Sequence, residues 1–213
     1  MSSQLALFGG SIPWISPSTG WKTVDDRVRG GSSVSNLTVN SSTNSAVFSG
    51  ILDTKTLGAA GFASQVTTGD TVWDLSLYEG LWVEIEKSDG MQYTLIIKDD
   101  IQQDKRDDGR EKASINWEVD FQIGDKKKQE EGDSLRFAWT DFKAFYRGRE
   151  RKNVGDLNTK EIQRFSVMAR SHFGNQEGPF RLELRSITAA NFSATEDQGP
   201  SISRGSQKQL GNL

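Results

Sequence analysis

The chain has no cysteine and a single histidine, His172, among its 213 residues. The lack of thiols excludes disulfides, cysteine nucleophiles and thiolate metal sites. With one histidine, a metal centre built from several imidazoles is excluded too. A Ser-His-Asp triad would have to use His172, which sits in a predicted turn, and the chain has no G-x-S-x-G nucleophile motif. We therefore predict no catalytic residue, no metal site and no cofactor.

The chain also lacks a charge excess and a long apolar run. It has 26 Lys and Arg against 29 Asp and Glu, which gives a formal net charge of −3. Nucleic-acid binders usually carry a basic excess, because phosphate neutralisation supplies most of their non-specific affinity. The apolar stretches are far shorter than the roughly 20 residues that a membrane helix needs. We expect neither nucleic-acid binding nor membrane insertion.

The N-terminal residues lack the features of a targeting segment. No basic residue precedes Lys22, so the stretch resembles neither a signal peptide nor an Arg-rich transit peptide. This favours the cytoplasm, with import into an organelle as the alternative.

The dominant positive signal is an alternation of apolar and polar residues with a period of two. In residues 115–123, INWEVDFQI, every odd position is apolar and every even one is polar. Such a pattern predicts a strand with one face on a core and one in water. Many short strands joined by turns predict an all-β protein of two packed antiparallel sheets with very little helix. The other predicted strands are 33–40, 45–53, 60–66, 81–86, 91–98, 134–139, 163–170 and 180–185.

The pattern predicts one domain. We assign residues 14–192 to a single β-sandwich, preceded by an N-terminal extension at 1–13. The last residues, 193–213, lack apolar spacing and are typical of a disordered tail. The polar stretches 99–113 and 124–133 mix both charge signs and are typical of solvated loops.

The stretch at 25–37, DDRVRGGSSVSNL, allows three interpretations. A phosphate-binding loop is disfavoured, because no P-loop or dinucleotide motif occurs and the following residues predict a strand instead of a helix. A structural loop is favoured. Gly30 and Gly31 permit φ values that a Cβ would forbid, and Asp26 can hydrogen-bond the irregular backbone before a strand that begins near Ser33.

A docking edge is the third interpretation of the same stretch. Arg27 and Arg29, together with Arg147 and Arg149, would present charge to a partner or ligand. Arginine suits this role because its planar guanidinium makes bidentate contacts. Asp26 and Ser33 are included as candidate binding residues of this edge.

Two further hypotheses involve residues on the polar faces of strands. Facing carboxylates on a concave sheet could act as acid and base, as in glycoside hydrolysis; the simpler interpretation is that they form the solvated faces of amphipathic strands. Trp82 lies on the polar side of its strand and could stack on a sugar ring or anchor a protein partner. A calcium site remains open, although no compact D-x-D-x-D loop supports it. The carboxylates concerned are Glu84, Glu86, Glu118 and Asp120.

Several short motifs follow one another along residues 14–192. They are Trp21 with DDRVRGGSS at 25–33, FSG at 48–50, GFAS at 61–64, DLSLYEG at 74–80, FAWTDF at 137–142, Arg147-Gly148 and GPFRLE at 178–183. In this order they resemble the complex I intermediate-associated protein family.

The resemblance implies a galactose-binding-like jelly-roll sandwich and a non-catalytic role. The family is known for mitochondrial assembly factors that help to build respiratory complex I, the NADH:ubiquinone oxidoreductase. It therefore implies an assembly factor or chaperone with protein partners among assembly intermediates, and the mitochondrion as an alternative location. A module that binds a carbohydrate or another small ligand is the alternative on the same fold. Within the motifs, Gly61, Phe62 and Gly148 are assigned structural roles.

Overall fold

The protein is a jelly-roll β-sandwich of two antiparallel sheets, which confirms the predicted fold class. Helical elements are short, and two of them are 3-10 helices at Asp26–Arg29 and Trp139–Asp141. The computed structural model describes residues 4–16, 20–101, 107, 109, 111–124 and 132–192.

One sheet has six strands around the long strand β13. The order is β3-β4-β13-β6-β9, and β1 pairs with the C-terminal half of β13 beyond the end of β4. This sheet forms one outer face of the sandwich. Its strands are β1 (Gln4–Gly9), β3 (Val34–Asn40), β4 (Ser45–Leu52), β6 (Gly80–Ser88), β9 (Asp133–Ala138) and β13 (Gly178–Ala190).

The second sheet has seven strands in the order β11-β10-β8-β7-β12-β5-β2. Most spatial neighbours here are not neighbours in sequence, so residues far apart in the chain meet on its outer face. The strands are β2 (Trp21–Thr23), β5 (Phe62–Thr67), β7 (Gln92–Lys98), β8 (Asn116–Gln122), β10 (Lys143–Tyr146), β11 (Arg149–Glu150) and β12 (Arg164–Arg170).

The core lies between the sheets and follows the predicted alternation. On β8 and just after it, Trp117, Val119, Phe121 and Ile123 are all at most 9% exposed, and Ile115 is partly buried against the same core. Every predicted strand occurs, and the one predicted at 180–185 extends over all of β13. Strands β2, β10 and β11 were not predicted, because two to four residues are too few to show a period of two.

The sandwich begins before residue 14, within the stretch predicted as an extension. Strand β1 joins the six-stranded sheet, and Phe8 is fully buried. A β-bulge between Ala6 and Phe8 shifts the register, so that Leu7 and Phe8 are both buried. Two consecutive residues that both face the core break the alternation, so the period of two does not predict this strand. The predicted tail at 193–213 lies outside the described residues.

An aromatic cluster surrounds Phe8. Its ring lies 5.8 Å from that of Trp14, 5.3 Å from Trp21, 6.1 Å from Trp73 and 5.3 Å from Phe165. This cluster joins the N-terminal strand, which belongs to the six-stranded sheet, to β2 and β12 of the seven-stranded sheet. None of the helices within the described residues is long and apolar enough to span a bilayer.

Candidate functional site: a basic groove on the seven-stranded sheet

The 25–33 stretch is tied together by the carboxylate of Asp26, which is 1% exposed. The carboxylate accepts hydrogen bonds from the Ser33 backbone N–H at 2.9 Å, the Ser33 hydroxyl at 2.6 Å and the Phe62 backbone N–H at 3.2 Å. Ser33 is fully buried as well. Both candidate binding residues therefore lie in the interior, where they connect the 3-10 helix to the starts of β3 and β5.

Asp25 has the same role one residue earlier. It is 2% exposed and accepts hydrogen bonds from the Ser35 hydroxyl at 2.8 Å and the Ser64 backbone N–H at 3.1 Å. The Arg27 guanidinium donates to it at 3.0 Å. The two aspartates thus hold strands from both sheets to the loop.

The glycines of this loop are needed for two different reasons. Gly30 ends the 3-10 helix with φ of 84°, a left-handed conformation that favours glycine. Gly31 does not have such a φ; a Cβ there would overlap the Asp26 carboxylate. At Gly61 a Cβ would overlap the carbonyl oxygen of Asp53. Close packing around Asp26 therefore explains Gly31 better than backbone freedom does.

The arginines of the loop point to different places. Arg27 pairs with Asp25, whereas the Arg29 guanidinium lies 5.7 Å from the centre of the Phe62 ring. Arg29 and Phe62 line a groove on the outer face of the seven-stranded sheet, and Arg27 does not.

Of the other two predicted arginines, Arg147 and Arg149, only one lines the groove. Arg147 and Gly148 have φ of 51° and 74° and connect β10 to β11, where Tyr146 pairs with Arg149. Two central residues with positive φ are typical of a tight hairpin turn. Arg147 lines the same groove as Arg29, and Arg149 on the following strand does not.

The groove has a volume of about 800 Å³ and a floor of apolar and small polar side chains. Val66, Ile96 and Met168 contribute to this floor from three adjacent strands. Lys22 pairs with Val66 in register, and Ser166 pairs with both Val66 and Ile96. Antiparallel pairing thus places residues of β2, β5, β12 and β7 in one row across the face.

Cations dominate the lining. Among the described residues that line the groove, Glu111 is the only carboxylate, set against six basic side chains. Glu111 lies 2.8 Å from the Lys22 ammonium and 3.7 Å from the Arg164 guanidinium. The basic residues are Lys22, Arg29, Lys98, Lys112, Arg147 and Arg164.

Burial is the main influence on the pKa of Lys98, and the surrounding charges act on it in both directions. Burial lowers the pKa of Lys98; the Glu111 carboxylate opposes that shift, while the charges of Arg164 and Lys22 add to it. Its ammonium donates to the Ser114 hydroxyl at 3.3 Å. For Glu111, burial raises the pKa, but the hydrogen bond and charge of Lys22 and the other cations hold it below its usual value. An anion entering the groove would relieve the repulsion around Lys98.

Glu118 and Asp120 lie beside the groove and are paired with one arginine. Arg170 contacts Glu118 at 2.7 Å and Asp120 at 2.6 Å. Burial lowers the pKa of Arg170, but these two carboxylates more than offset it, so the net direction is upward. Glu118 is 4% exposed, so the polar position of an alternating strand here carries a buried charge and not a solvated one.

The other two candidate carboxylates are on the opposite side of the molecule. Glu84 and Glu86 belong to β6 in the six-stranded sheet, where Glu84 accepts from the Ser186 hydroxyl at 2.6 Å and Glu86 pairs with Arg185. The four carboxylates predicted from alternation therefore divide between two outer faces. No acid–base pair forms between β6 and β8, both of which the structure describes in full.

The tryptophans do not line the groove. Trp82 is half-buried on the outer face of the six-stranded sheet, with the Arg136 guanidinium 5.0 Å from its ring centre. Trp14 and Trp21 are buried in the core. Within the described lining, Phe62 is the only aromatic residue.

His172 lies in the predicted turn after β12. It has φ of 45° and is followed by Phe173 and Gly174, which also have positive φ. Burial lowers the pKa of His172, and the nearby Arg170 lowers it further. In the described part of the chain, no three histidine, aspartate or glutamate side chains are grouped so that they could hold a metal ion.

Several groove residues were not singled out from the sequence. Lys98 and Arg164 are single basic residues at strand ends and Lys22 is the middle residue of the short β2. Nothing in their local sequence distinguishes them. They meet because β2, β7 and β12 come close to one another on one sheet. No local motif could have revealed this cluster.

A protein-family model described as complex I intermediate-associated protein 30 (CIA30) matches residues 14–184. The chain belongs to the CIA30 family. An uncharacterized protein of Schizosaccharomyces pombe is 42% identical over 191 residues, which cover 87% of this chain and 84% of that protein. The family match includes strands of both sheets and every element that lines the groove.

Solved structures similar to this CIA30 chain share its fold. A family 11 carbohydrate-binding module from Clostridium thermocellum, in complex with a mixed-linked β-1,3-1,4 tetrasaccharide, superposes with a TM-score of 0.54 at 15% identity, covering 80% of this chain and 88% of that one. The module of the cellulase Lic26A-Cel5E from the same organism gives 0.53 at 14%, covering 83% and 91%. At these identities the likeness concerns the jelly-roll architecture alone.

Proposed function

We propose that this CIA30-family chain is a non-catalytic assembly factor or chaperone that binds intermediates of respiratory complex I. The observation that carries the proposal is the family match over residues 14–184. The matched segment contains the Asp26 loop, the hairpin turn at Arg147 and the groove between them. The proposed partners are therefore proteins, and the binding surface is the outer face of the seven-stranded sheet.

The charge of the groove supports a charged partner over a neutral sugar. Sugar-binding faces usually offer exposed aromatic rings for stacking, whereas here Phe62 lies beneath the Arg29 guanidinium. Trp82, the predicted stacking platform, is on the other sheet. A carbohydrate-binding module remains the alternative that the shared fold suggests, and a glycan array with the purified protein is its direct test.

The proposal can be checked in the native cell. A tagged chain expressed at its natural level should co-purify with complex I subunits, as identified by mass spectrometry, and an unrelated jelly-roll protein with the same tag serves as the control. Cells that lack the gene should hold less complete complex I and more partial assemblies on native gels, and the wild-type chain should restore both. Normal complex I in the deletion strain, together with no enrichment of its subunits, would rule out the proposed function.

We also propose that the chain works in the mitochondrion, because complex I is assembled there. The cytoplasm is the competing location. Fractionation of cells that express the C-terminally tagged chain separates the two, since import would protect the protein from added protease within intact mitochondria.

The proposal includes the absence of hydrolase activity. Glu111, the only described carboxylate that lines the groove, is paired with Lys22 and Arg164. Glu118 and Asp120, which lie beside the groove, are both engaged by Arg170. Each of the three carboxylates is therefore held by cations. We expect purified protein to show no turnover of generic esters, peptides or glycosides above a buffer blank. Reproducible turnover that disappears in Glu118→Gln or Asp120→Asn, with the melting temperature retained, would establish an enzyme instead.

A further inference from the structure

The charged side chains described along the groove are mainly basic, whereas the net charge of the chain is negative. The chain as a whole carries a formal net charge of −3, whereas six of the groove-lining side chains are basic and Glu111 is the only acidic one described. A cleft lined by one sign of charge raises the local concentration of the opposite sign and speeds its association. The chemistry that fits the groove is therefore anionic.

The cations are distributed around the floor instead of being gathered at one point. Lys98, at the end of β7, pairs in register with Arg164 at the start of β12. At the other end of β12, the backbone of Arg170 is in register with Phe62, over which the Arg29 guanidinium lies. The cation at this end of the groove is Arg29, because Arg170 is paired with Glu118 and Asp120. The two rows are six residue steps apart along β12, which is about 20 Å at roughly 3.4 Å per residue.

Two of the arginines keep their donors available. Arg29 and Arg147 are exposed and lie against the rings of Phe62 and Tyr146, at 5.7 Å and 5.4 Å. Neither forms an ion pair with any residue that the structure describes. A guanidinium that stacks on a ring is held in place while its N–H groups still face a ligand.

The floor between the cations carries three apolar side chains beside the buried serines Ser64 and Ser166. Val66, Ile96 and Met168 lie between the Lys98–Arg164 row and the Phe62 row. A single phosphate or carboxylate cannot reach both groups of cations across about 20 Å of floor. An extended polypeptide of about six residues can, because it rises by about 3.4 Å per residue and can present carboxylates and apolar side chains together.

We propose that this groove binds an extended acidic segment of a partner protein. Its carboxylates would bind Arg29 at one end of the groove, the Lys98–Arg164 pair at the other, and Arg147 at the side. Its apolar side chains would cover Val66, Ile96 and Met168. The inference rests on the proposed function, and it names the chemistry of the segment that an assembly partner would present.

The probe for this site is a fluorescein-labelled ten-residue peptide of alternating glutamate and leucine, with a lysine–leucine peptide as its counterpart. Fluorescence anisotropy with the full chain should show binding of the first peptide and not the second. The affinity should fall as salt is raised, because the contacts are ionic. Arg29→Glu combined with Arg147→Glu should weaken binding by at least about tenfold, since each reversal replaces attraction by repulsion at the groove.

The hairpin supplies a matched control two residues away. Arg149→Glu makes the same charge change on an exposed residue outside the groove. It should leave the affinity within about twofold of wild type, because it alters only the screened, long-range attraction between the protein and the peptide. If Arg29→Glu impairs folding, Arg147→Glu alone still tests the site, because it lies in a surface turn. Equal losses in Arg147→Glu and Arg149→Glu would overturn the proposal. So would tight binding of inorganic pyrophosphate in the absence of peptide binding.

The inference and the proposed function can fail separately. If complex I subunits co-purify equally with wild-type chain and the doubly reversed chain, the groove inference is wrong while the assembly role stands. If wild-type chain binds the glutamate–leucine peptide but recovers no complex I subunit, the groove is an acidic-segment site and the assembly role is wrong.

Discussion

Asp26→Ala is expected to lower the free energy of unfolding by about 3–5 kcal/mol. The carboxylate is buried and accepts three hydrogen bonds, two from Ser33 and one from the Phe62 backbone N–H. Removing it leaves the two backbone N–H groups without this acceptor and the Ser33 hydroxyl with only a long bond of 3.4 Å to the Asp53 carbonyl. Each unsatisfied donor carries a desolvation penalty. The loop also loses its connection to β5. Urea denaturation followed by the fluorescence of the six tryptophans measures the change.

The conservative variant and a surface control make this test specific. Asp26→Asn keeps one carbonyl oxygen but turns an amide NH₂ towards N–H donors, so its loss should be comparable or slightly smaller. Asp70→Ala, at an exposed loop position, should change stability by less than about 0.5 kcal/mol. A loss below about 1 kcal/mol for Asp26→Ala would mean that this loop does not hold the two sheets together.

Phe8→Ala is expected to cost about 3–5 kcal/mol, because it opens a cavity in the middle of the aromatic cluster. Phe8 is fully buried and its ring lies within about 6 Å of the rings of Trp14, Trp21, Trp73 and Phe165. The change removes ring contacts that join β1 to strands β2 and β12 of the seven-stranded sheet. Thermal unfolding and urea titration should both show the loss.

Leu5→Ala is the matched control on the same strand. Leu5 is 40% exposed, so its truncation should cost well under half as much as that of Phe8. Similar small losses for the two variants would show that residues 4–9 contribute little to stability, in agreement with the predicted extension at 1–13. A large loss for Phe8→Ala alone would make β1 part of the folding domain.

The 25–33 stretch shows how far local sequence information reaches. The prediction that Asp26 bonds irregular backbone and that Gly30 adopts a positive φ follows from residue chemistry, and the structure contains both features. The same prediction for Gly31 was wrong, because its φ is not positive. The need for glycine at this position is steric. It depends on the position of the Asp26 carboxylate, which is set by hydrogen bonds from β3 and β5.

The buried charge of Glu118 is a second example. Alternation along β8 correctly assigns Trp117, Val119 and Phe121 to the core, and it assigns Glu118 to the outer face. Whether that face is solvated is decided by the neighbouring strands. Arg170 comes from β12, two strands away across β7, and it pairs with Glu118 on that outer face.

The sequence by itself determined the fold class, the positions of the longer strands and the absence of thiol and multi-histidine chemistry. These properties depend on composition and on the side-chain period of a strand, which are local. Only the tertiary structure decided which arginines share a surface: Arg29 and Arg147 line one groove with Lys22, Lys98 and Arg164, while Arg27 and Arg149 do not. The physical reason is that strand order and register bring distant segments together, and a period of two carries no information about which strands will be neighbours.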